Sequence, residues 1–590
     1  MPQKLLVTTP LRQTWNDKKM IFLGQWCGNF KNFENLNKDD YEIFEYHWDN
    51  REKLINDYHY INKLYQKILL SFRTMLNEYH DLNYSERYWK IIIGPWLITF
   101  LQIAHERFSN LELFFQKKKT EDLQTIILQI KNNQLIPKTY EEFTRLMLSD
   151  TWNHHIYGMM IDSNQFNFPI KKLYKEFKYE EKYKEYLKKN FSYKNKIYNS
   201  FSNFLEKIFS KQNILISESY LGLKDEFLLA INYLSLPRYS LGNTDFKNKF
   251  INERHKIKID FYGNNPFEKF IKENILHFMP RSYLEEFSLI GKKVKDMKWA
   301  KNPKIIFTSH FMTKTLQSRY TADCLENNKS KLVIGQHGGV YGQYLFSSMQ
   351  DFEIDVSDKY LSWGWNEKNK KIIPFGVIKN LNKNKYNLKN NNLLMILRSQ
   401  SRYTHRLNSY SGTNQIKKYF DENIELCKKL NSKIIENNLL LRFHSRKFGW
   451  DEDKMFIKNL GNIKIDMGYT KISKLISSAK LVLHTYIGTG YLETLASNIP
   501  TVIFANTKEC LLNKETLIDL NILKEANIYH EDHTSAANFI NSNWNTISSW
   551  WFSDSTQNAR KHFCLKYSKV NPNKVNDLKK IFNSINDKQV

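Results

Sequence analysis

The segment from Leu481 to Phe504 reads LVLHTYIGTGYLETLASNIPTVIF and decides the fold. Its ends are short apolar runs at 481–484 and 501–504, which are typical of strands buried on both faces of a parallel sheet. A glycine-containing turn and a helical pattern at 490–497 lie between them. A strand, one helix and a second strand form a βαβ unit, so the segment predicts a parallel α/β sheet.

The same alternation extends back to residue 393. Apolar runs at 393–397, 439–443 and 463–465 predict three more strands, and helical patterns at 416–430 and 472–479 separate them. Strands that alternate with single helices predict a doubly wound sheet, so residues 393–560 are assigned to a Rossmann-like C-terminal domain. A low-complexity linker at 381–392 precedes it, and a helix within 561–590 is expected to pack back on the N-terminal domain.

Residues 1–380 are assigned to an N-terminal α/β domain with helical insertions at about 48–290. Apolar runs at 5–8 and 21–23 predict strands at its start, and runs at 304–308 and 331–334 predict a βαβ unit at its end. The Lys-, Glu- and Tyr-rich run 171–196 is predicted to be an exposed helical excursion. Two Rossmann-like, doubly wound domains that face a cleft form the GT-B-like fold, which is the α/β class we expect.

The amino-acid composition limits the classes of function. The chain of 590 residues carries a formal charge of +27, but only 16 of its 88 basic residues are Arg. The Lys excess comes with much Asn, Ile, Tyr and Phe, as an A/T-rich genome produces, and an anionic membrane, glycan or nucleic acid is the alternative explanation. Five of the 16 Arg fall between 398 and 446, and guanidinium groups are well suited to binding phosphates and carboxylates.

Other features favour a cytoplasmic enzyme, with peripheral contact at the inner face of the cytoplasmic membrane left open. The five cysteines are scattered, the start of the chain has no signal-peptide pattern, and the most apolar run, 91–104, is too short to cross a bilayer. The acidic run 451–453 is expected to begin a helix. We expect no metal and no cofactor.

The turn within the opening segment supplies candidate nucleotide-binding residues. Gly488 and Gly490 allow close backbone approach, and Thr489 could cap a helix whose first amides suit a phosphate. Glu493, one turn into that helix, could accept both ribose hydroxyls, and Thr485 lies at the strand end. An ordinary capped turn with a Glu that complements the helix dipole is the alternative.

A second turn, Gln336-His337-Gly338-Gly339, ends the strand at 331–334. A His at the carboxyl end of a strand can donate to a phosphate or a sugar carboxylate, or act as a base, so His337 is the candidate catalytic residue. Gln336 and Gly338 are assigned to donor binding beside it. The alternative is a histidine that only bonds to backbone.

Polar side chains follow two neighbouring strands of the C-terminal domain. Arg398, Ser399 and Arg402 follow the strand at 393–397, and Arg442 and His444 end the strand at 439–443. Positive charge at one sheet edge suits a diphosphate or a CMP-sugar and could stabilise the leaving nucleotide without metal. A solvated basic rim is the alternative.

Asp150, Trp152 and His154 are weaker candidates, for an acceptor groove in the N-terminal domain. Aromatic faces suit sugar stacking, and Asp150 is one possible base. Core tryptophans and surface histidines are the alternative.

Several short segments resemble a family of transferases encoded in bacterial O-antigen and surface-polysaccharide gene clusters. They are residues 6–9, 22–27, 48–53, 88–89, 94–97, 336–339 and 489–493. The Gln-His-Gly turn and the Leu-Glu helix also resemble capsule Kdo transferases and other CMP-sugar-dependent GT-B enzymes. Those enzymes usually carry a His-Pro motif where this chain reads Phe443-His444-Ser445.

The resemblance implies a glycosyltransferase of O-antigen, lipopolysaccharide or other surface-polysaccharide biosynthesis. It would move a sugar from a nucleotide sugar, CMP-linked donors included, to a lipid-linked glycan. One alternative is a CDP-alcohol phosphotransferase of teichoic-type polymer synthesis, in which His337 and His444 would act as a pair. The other is a nucleic-acid-binding protein, which the scattered Lys residues disfavour, so no nucleic-acid partner is expected.

Overall fold

Three parallel sheets organise the chain in a computed structural model. The structure describes residues 4–16, 19–119, 122–130, 135–163, 170–176, 213–233, 235, 254–297, 299–381, 386–387, 389–410 and 412–586. Every strand pairing within the three sheets is parallel. The prediction of an α/β protein built on parallel sheets is confirmed.

The first sheet has the strand order β3-β2-β1-β4-β5. Its strands are β1 Lys4–Val7, β2 Met20–Phe22, β3 Tyr41–Ile43, β4 Leu123–Gln129 and β5 Lys171–Glu176. Its helices are α1 Phe30–Glu34, α2 Arg51–His80, α3 Glu86–Lys117, α4 Tyr140–Leu146 and α5 Asp150–Asp162. Asn50 caps α2 by accepting from the backbone N of Lys53, and Ser85 caps α3 in the same way at Tyr88.

The start of the run 171–196 is a strand and not the helix that its composition predicts. Residues 171–176 form β5, which pairs with β4 along its whole length at the edge of the sheet. An edge strand presents one side to water, so its Lys and Glu side chains stay solvated there. Residues 177–196 lie outside the described part of the chain.

The second sheet has the strand order β10-β9-β8-β7-β6. Its strands are β6 Ile214–Ile216, β7 Ile305–Thr308, β8 Lys331–Gly335, β9 Lys359–Ser362 and β10 Ile372–Pro374. Its helices are α6 Leu223–Asn232, α7 Pro266–Phe278, α8 Phe287–Asp296, α9 Thr315–Asn328 and α10 Ser348–Val356. The N-terminal part of the chain therefore holds two sheets, so the segment inserted before β7 is not only helical.

The third sheet has the strand order β13-β12-β11-β14-β15-β16. Its strands are β11 Asn392–Ile396, β12 Leu439–Arg442, β13 Lys464–Asp466, β14 Ala479–His484, β15 Thr501–Phe504 and β16 Tyr529–His530. The helices of this part are α11 Ile416–Lys429, α12 Ser432–Asn437, α13 Glu452–Leu460, α14 Ile472–Ser477, α15 Thr489–Ala496, α16 Lys514–Glu525, α17 His533–Asn543, α18 Ile547–Trp551, α19 Asp554–Tyr567 and α20 Lys574–Asn586.

The end of the chain returns to the second sheet. Leu578 and Phe582 of α20 are buried in one cluster with Ile305 and Phe307 of β7. Just before α20, the backbone N of Lys569 donates to the carbonyl of Trp363 at 2.8 Å. The chain therefore passes from the second sheet to the third near residue 380 and returns to the second sheet at its end.

None of the described helices has both the length and the apolar composition needed to cross a bilayer.

Candidate active site

The carboxyl ends of the second and third sheets are in direct contact. The backbone N of Gly339, after β8, donates to Thr489 Oγ1 at the start of α15 at 2.9 Å. Close by, the Tyr344 hydroxyl donates to the carbonyl of Ile487 at 3.2 Å. Ligands of open α/β sheets bind beyond the carboxyl ends of the strands, so this meeting of two sheet edges is the candidate site.

Gln336 holds the turn after β8 in place. Its Oε1 accepts from the backbone N of Trp363 and from Trp365 Nε1, both at 2.8 Å, and its Nε2 donates to the carbonyl of Gly338 at 2.7 Å. These bonds tie the buried amide to the turn and to both tryptophans. Gln336 therefore shapes the turn, and its role in donor binding stays a prediction.

Val340 gives this turn a strained backbone. Its φ of 72° lies in the left-handed region, which β-branched residues avoid. Such a conformation costs about 1–3 kcal/mol and is typical of functional sites. The strain supports a functional role for the turn that carries His337.

His337 faces a buried carboxylate. Its Nδ1 lies 3.4 Å from Glu353 Oε1 of α10, and Glu353 also accepts from the hydroxyls of Tyr360 at 3.2 Å and Tyr341 at 3.5 Å. Burial lowers the pKa of His337 to about 3 and raises the pKa of Glu353. The imidazole is neutral at pH 7, and its buried Nδ1 has no hydrogen-bond partner among the described residues.

The histidine nearest to His337 in the structure is one that the sequence analysis missed. His310, two residues beyond β7, has its ring centroid 5.1 Å from that of His337, and its Nε2 lies 3.0 Å from Thr313 Oγ1. Burial lowers the pKa of His310 to about 4. The predicted partner His444 is exposed beyond β12, where its Nδ1 accepts from the backbone N of Arg446, and none of its described contacts reaches His337.

Arg398 is a buried cation at the other sheet edge. Only 8 % of the residue is exposed, and its guanidinium carbon lies 4.5 Å from the ring centroid of Tyr410 and 4.8 Å from that of Tyr419. Its Nε and the neighbouring Ser399 hydroxyl are buried without a hydrogen-bond partner among the described residues. A buried charge needs a counter-charge, so this environment suits an anionic ligand.

The glycine turn before α15 is closely packed but is not capped as predicted. Gly488 is the N-cap and no side chain caps the helix, since the Thr489 hydroxyl instead accepts from Gly339 of the second-sheet edge. A Cβ on Gly488 would lie 2.3 Å from the Tyr486 ring, and one on Gly490 would lie 2.9 Å from the His484 ring. Thr485 fixes the strand end, because its hydroxyl donates to the carbonyl of Ile396 at 2.9 Å.

Three of the predicted charged residues already have protein partners. Arg442 forms an ion pair with Asp466. Arg402 donates to the carbonyl of Gly449 and lies 3.8 Å from Asp150. Glu493 is paired with Lys379 of the second-sheet side. Arg442 and Arg402 are thereby neutralised or tied to backbone and are weaker candidates than Arg398 for binding a phosphate.

The structure places the predicted acceptor residues away from a sugar-stacking surface. Trp152 is fully buried, packed against Phe143 and Phe278. His154 is buried as well, where its Nε2 accepts from the backbone N of Leu128 at 3.0 Å and burial lowers its pKa to about 4. Both side chains complete the core beside β4, so neither can contact a sugar. Asp150 remains partly exposed and accepts from the hydroxyl of Tyr403 at 2.9 Å.

Arg406 is a second cation that the residue-by-residue analysis did not select. It lies exposed on the segment between β11 and α11, and its positive charge acts on His310, His337 and Glu353. The sequence signal was its place among the five Arg between 398 and 446.

Across the described residues, no three His, Cys, Asp or Glu side chains gather as a metal site would require.

The second and third sheets are doubly wound and parallel, their carboxyl ends meet, and the chain end returns to the second sheet; this arrangement defines a GT-B-like enzyme fold. The sequence matches the LIC12162 family transferase profile over residues 4–582, so the protein belongs to this family of transferases.

Comparisons with solved structures give slight similarities. The chain is similar to the wall teichoic acid polymerase TagF, at 10 % identity over 68 % of this chain and 100 % of that one, with a TM-score of 0.33. It is similar to MurG of Acinetobacter baumannii at 12 % identity over 63 % of this chain and 99 % of that one, with a TM-score of 0.31. No curated protein matches the chain. These values are too low to transfer any residue's role.

Proposed function

We propose that this transferase moves a sugar from a nucleotide-sugar donor to a lipid-linked glycan acceptor in the synthesis of a surface polysaccharide. The observation that carries the proposal is the placement of two features at the two sheet edges that meet. At one edge the buried guanidinium of Arg398 has no carboxylate partner among the described residues. At the other edge His337 Nδ1 lies 3.4 Å from Glu353 Oε1.

Arg398 binds the phosphates of the donor in this proposal. The Ser399 hydroxyl and the uncapped first amides of α15 would add neutral donors beside it, because a helix N-terminus favours a negative group. Glu493 bonds Lys379 through Oε1, which leaves Oε2 to accept the ribose hydroxyls. The binding set thus comprises one cation, several neutral donors and one carboxylate.

His337 acts as the general base. Its Nε2 takes the proton of the acceptor hydroxyl while that oxygen forms the new bond to the anomeric carbon of the donor sugar. The bond from that carbon to the phosphate oxygen breaks, and the nucleotide leaves with the electron pair, stabilised by Arg398 and Arg406. Glu353 stabilises the imidazolium that forms, as a carboxylate does behind a catalytic histidine.

The acceptor and the place of action follow from the resemblance to surface-polysaccharide transferases described above. A lipid-linked acceptor puts the reaction at the inner face of the cytoplasmic membrane. The lysine excess of the chain would favour contact with anionic lipid there. In this proposal the reaction needs no metal, since Arg398 and the helix amides supply the charge stabilisation.

One observation favours a second candidate, the CDP-alcohol phosphotransferase. Such a reaction would use two histidines at strand ends, and His310 and His337 lie with ring centroids 5.1 Å apart beyond β7 and β8. The pair differs from the His337 and His444 pair expected from the sequence. The donor distinguishes the two functions, because the phosphotransferase requires a CDP-linked alcohol.

A thermal-shift panel of CMP-, UDP-, GDP- and CDP-linked compounds tests the proposal. We expect one nucleotide sugar to raise the unfolding midpoint of the wild type. Arg398→Gln should weaken that ligand about 10- to 100-fold, because hydrogen bonds to charged groups contribute about 1.5–3 kcal/mol. Arg73→Gln, on α2, is the matched control and should behave as the wild type. A shift only with CDP-alcohols would favour the phosphotransferase, and a shift only with DNA or RNA would contradict both.

A further inference from the structure

Helix α6 has two apolar faces, and only one of them is buried. Leu229 and Ala230 are fully buried against the second sheet, in the cluster that also contains Ile214. On the other side, Leu223 is 74 % exposed, and Phe227 and Ile231 are 50 % and 52 % exposed. A helix that serves only the core would carry polar residues on its outer face.

The exposed residues form one continuous stripe. Leu223, Phe227 and Ile231 are spaced four residues apart, so they lie above one another on the same helix face, and Leu228 widens the stripe at 43 % exposed. We call these four residues the α6 stripe. Contiguous apolar surface of this kind marks an interaction site.

Two features of its surroundings favour one partner for the α6 stripe. A cavity of 1060 Å³ opens beside Leu228, and Lys224 and Lys579 are among its lining residues, which places positive charge next to the apolar stripe. The stripe also begins close to the candidate site along the chain, because Tyr220, three residues before Leu223, is 42 % exposed and has its ring centroid 6.1 Å from that of His337.

We propose that the α6 stripe docks this protein on an anionic membrane surface, with Leu223, Phe227 and Ile231 inserted among the lipid chains. Exposed apolar side chains with flanking lysines bind anionic bilayers in this way, since both lipid insertion and charge attraction contribute. Docking there would place the mouth of the His337 site at the lipid surface. The proposal rests on the lipid-linked acceptor of the proposed function, but the binding itself can be measured without turnover.

Vesicle sedimentation tests the docking. Phosphatidylcholine vesicles are compared with vesicles that also contain phosphatidylglycerol, using the wild type and the triple variant Leu223→Gln, Phe227→Gln, Ile231→Gln. The matched control is Ile518→Gln with Leu565→Gln, which removes side chains that are 64 % and 66 % exposed elsewhere. We expect the wild type and the control to sediment with the phosphatidylglycerol vesicles. The triple variant should bind these vesicles at least about tenfold more weakly.

Three results would overturn the docking proposal. The triple variant could bind vesicles as the wild type does, or the wild type could bind neither kind of vesicle. The wild type could also elute as a dimer that the triple variant converts to monomer, which would make the stripe a contact between copies of this chain. Donor titration without vesicles reports on the proposed function separately, so a failed donor panel with intact vesicle binding leaves the docking proposal standing.

Discussion

Replacing Gly339 by Ala should separate the two sheet edges that form the active site. A Cβ there would lie 2.7 Å from Leu492 Cδ1, 2.8 Å from Thr489 Cα and 3.2 Å from the carbonyl oxygen of Gly488. Carbon atoms in contact normally lie about 3.5–4.0 Å apart, so α15 must move away. Gly338, one residue earlier, is a matched control, because its Cβ would lie 3.4 Å from Thr489 Oγ1, an ordinary contact.

The size of the effect follows from these contacts. Overpacking costs about 1–3 kcal/mol, and the hydrogen bond from Gly339 N to Thr489 Oγ1 contributes about 0.5–1.5 kcal/mol. We therefore expect Gly339→Ala to lose about 2–4 kcal/mol of stability. With an unfolding entropy of about 2.1 cal/mol/K per residue, this loss lowers the unfolding midpoint of the whole chain by about 2–3 °C.

Calorimetry with and without the donor is the assay. Gly339→Ala should unfold earlier and should also lose most of the donor-induced shift, because the donor binds to both sheet edges. Gly338→Ala should change both quantities far less. Equal midpoints and equal donor shifts for the two variants, or a larger loss for Gly338→Ala, would refute the close approach of the two edges.

Three further predictions concern single groups. Glu353→Gln replaces the carboxyl group beside His337, so we expect kcat to fall about tenfold or more and the acidic limb of the pH–rate profile to move, with little change in donor KM. An unchanged profile would exclude a positioning role. Buried histidines such as His154 and His484, with pKa values lowered to about 4 and about 3, bind fewer protons when folded, so stability should fall as the pH drops from about 6.5 toward 4. Each should cost about 2 kcal/mol between pH 7 and pH 5 in urea unfolding, and a flat pH dependence would contradict their burial. Trp152→Phe should lower the unfolding midpoint, because Trp152 packs in the core, and should leave acceptor KM unchanged. A raised acceptor KM would instead show that Trp152 contacts the sugar.

The third sheet is the part of the fold that sequence reasoning predicted best. Strands β11, β12, β14 and β15 are largely buried apolar runs flanked by polar turns, so their positions were visible without tertiary information. Strand β16 is only two residues long and carries no such pattern. The first sheet was not separated from the second because long helices divide its strands and β5 is a polar edge strand.

The site was predicted where residues follow strands and was missed where folding brings distant residues together. His337 and Arg398 follow β8 and β11, and the rule that ligands bind at strand ends selects both. Glu353 is one glutamate among many in the sequence, and only the packing of α10 turns it toward His337. Arg442 was selected by the same strand-end rule. Its partner Asp466 comes from the neighbouring strand β13, and the sequence pattern does not reveal that these two side chains form an ion pair.

In the proposed function one site, assembled where the second and third sheets meet, binds the donor through Arg398 and reacts through His337. A transfer assay on His337→Ala, with donor affinity measured by titration on the same sample, tests it most directly. We predict donor affinity close to that of the wild type and a transfer rate about 10²- to 10⁴-fold lower, as removal of a general base produces. Transfer at the wild-type rate by His337→Ala would contradict the claim.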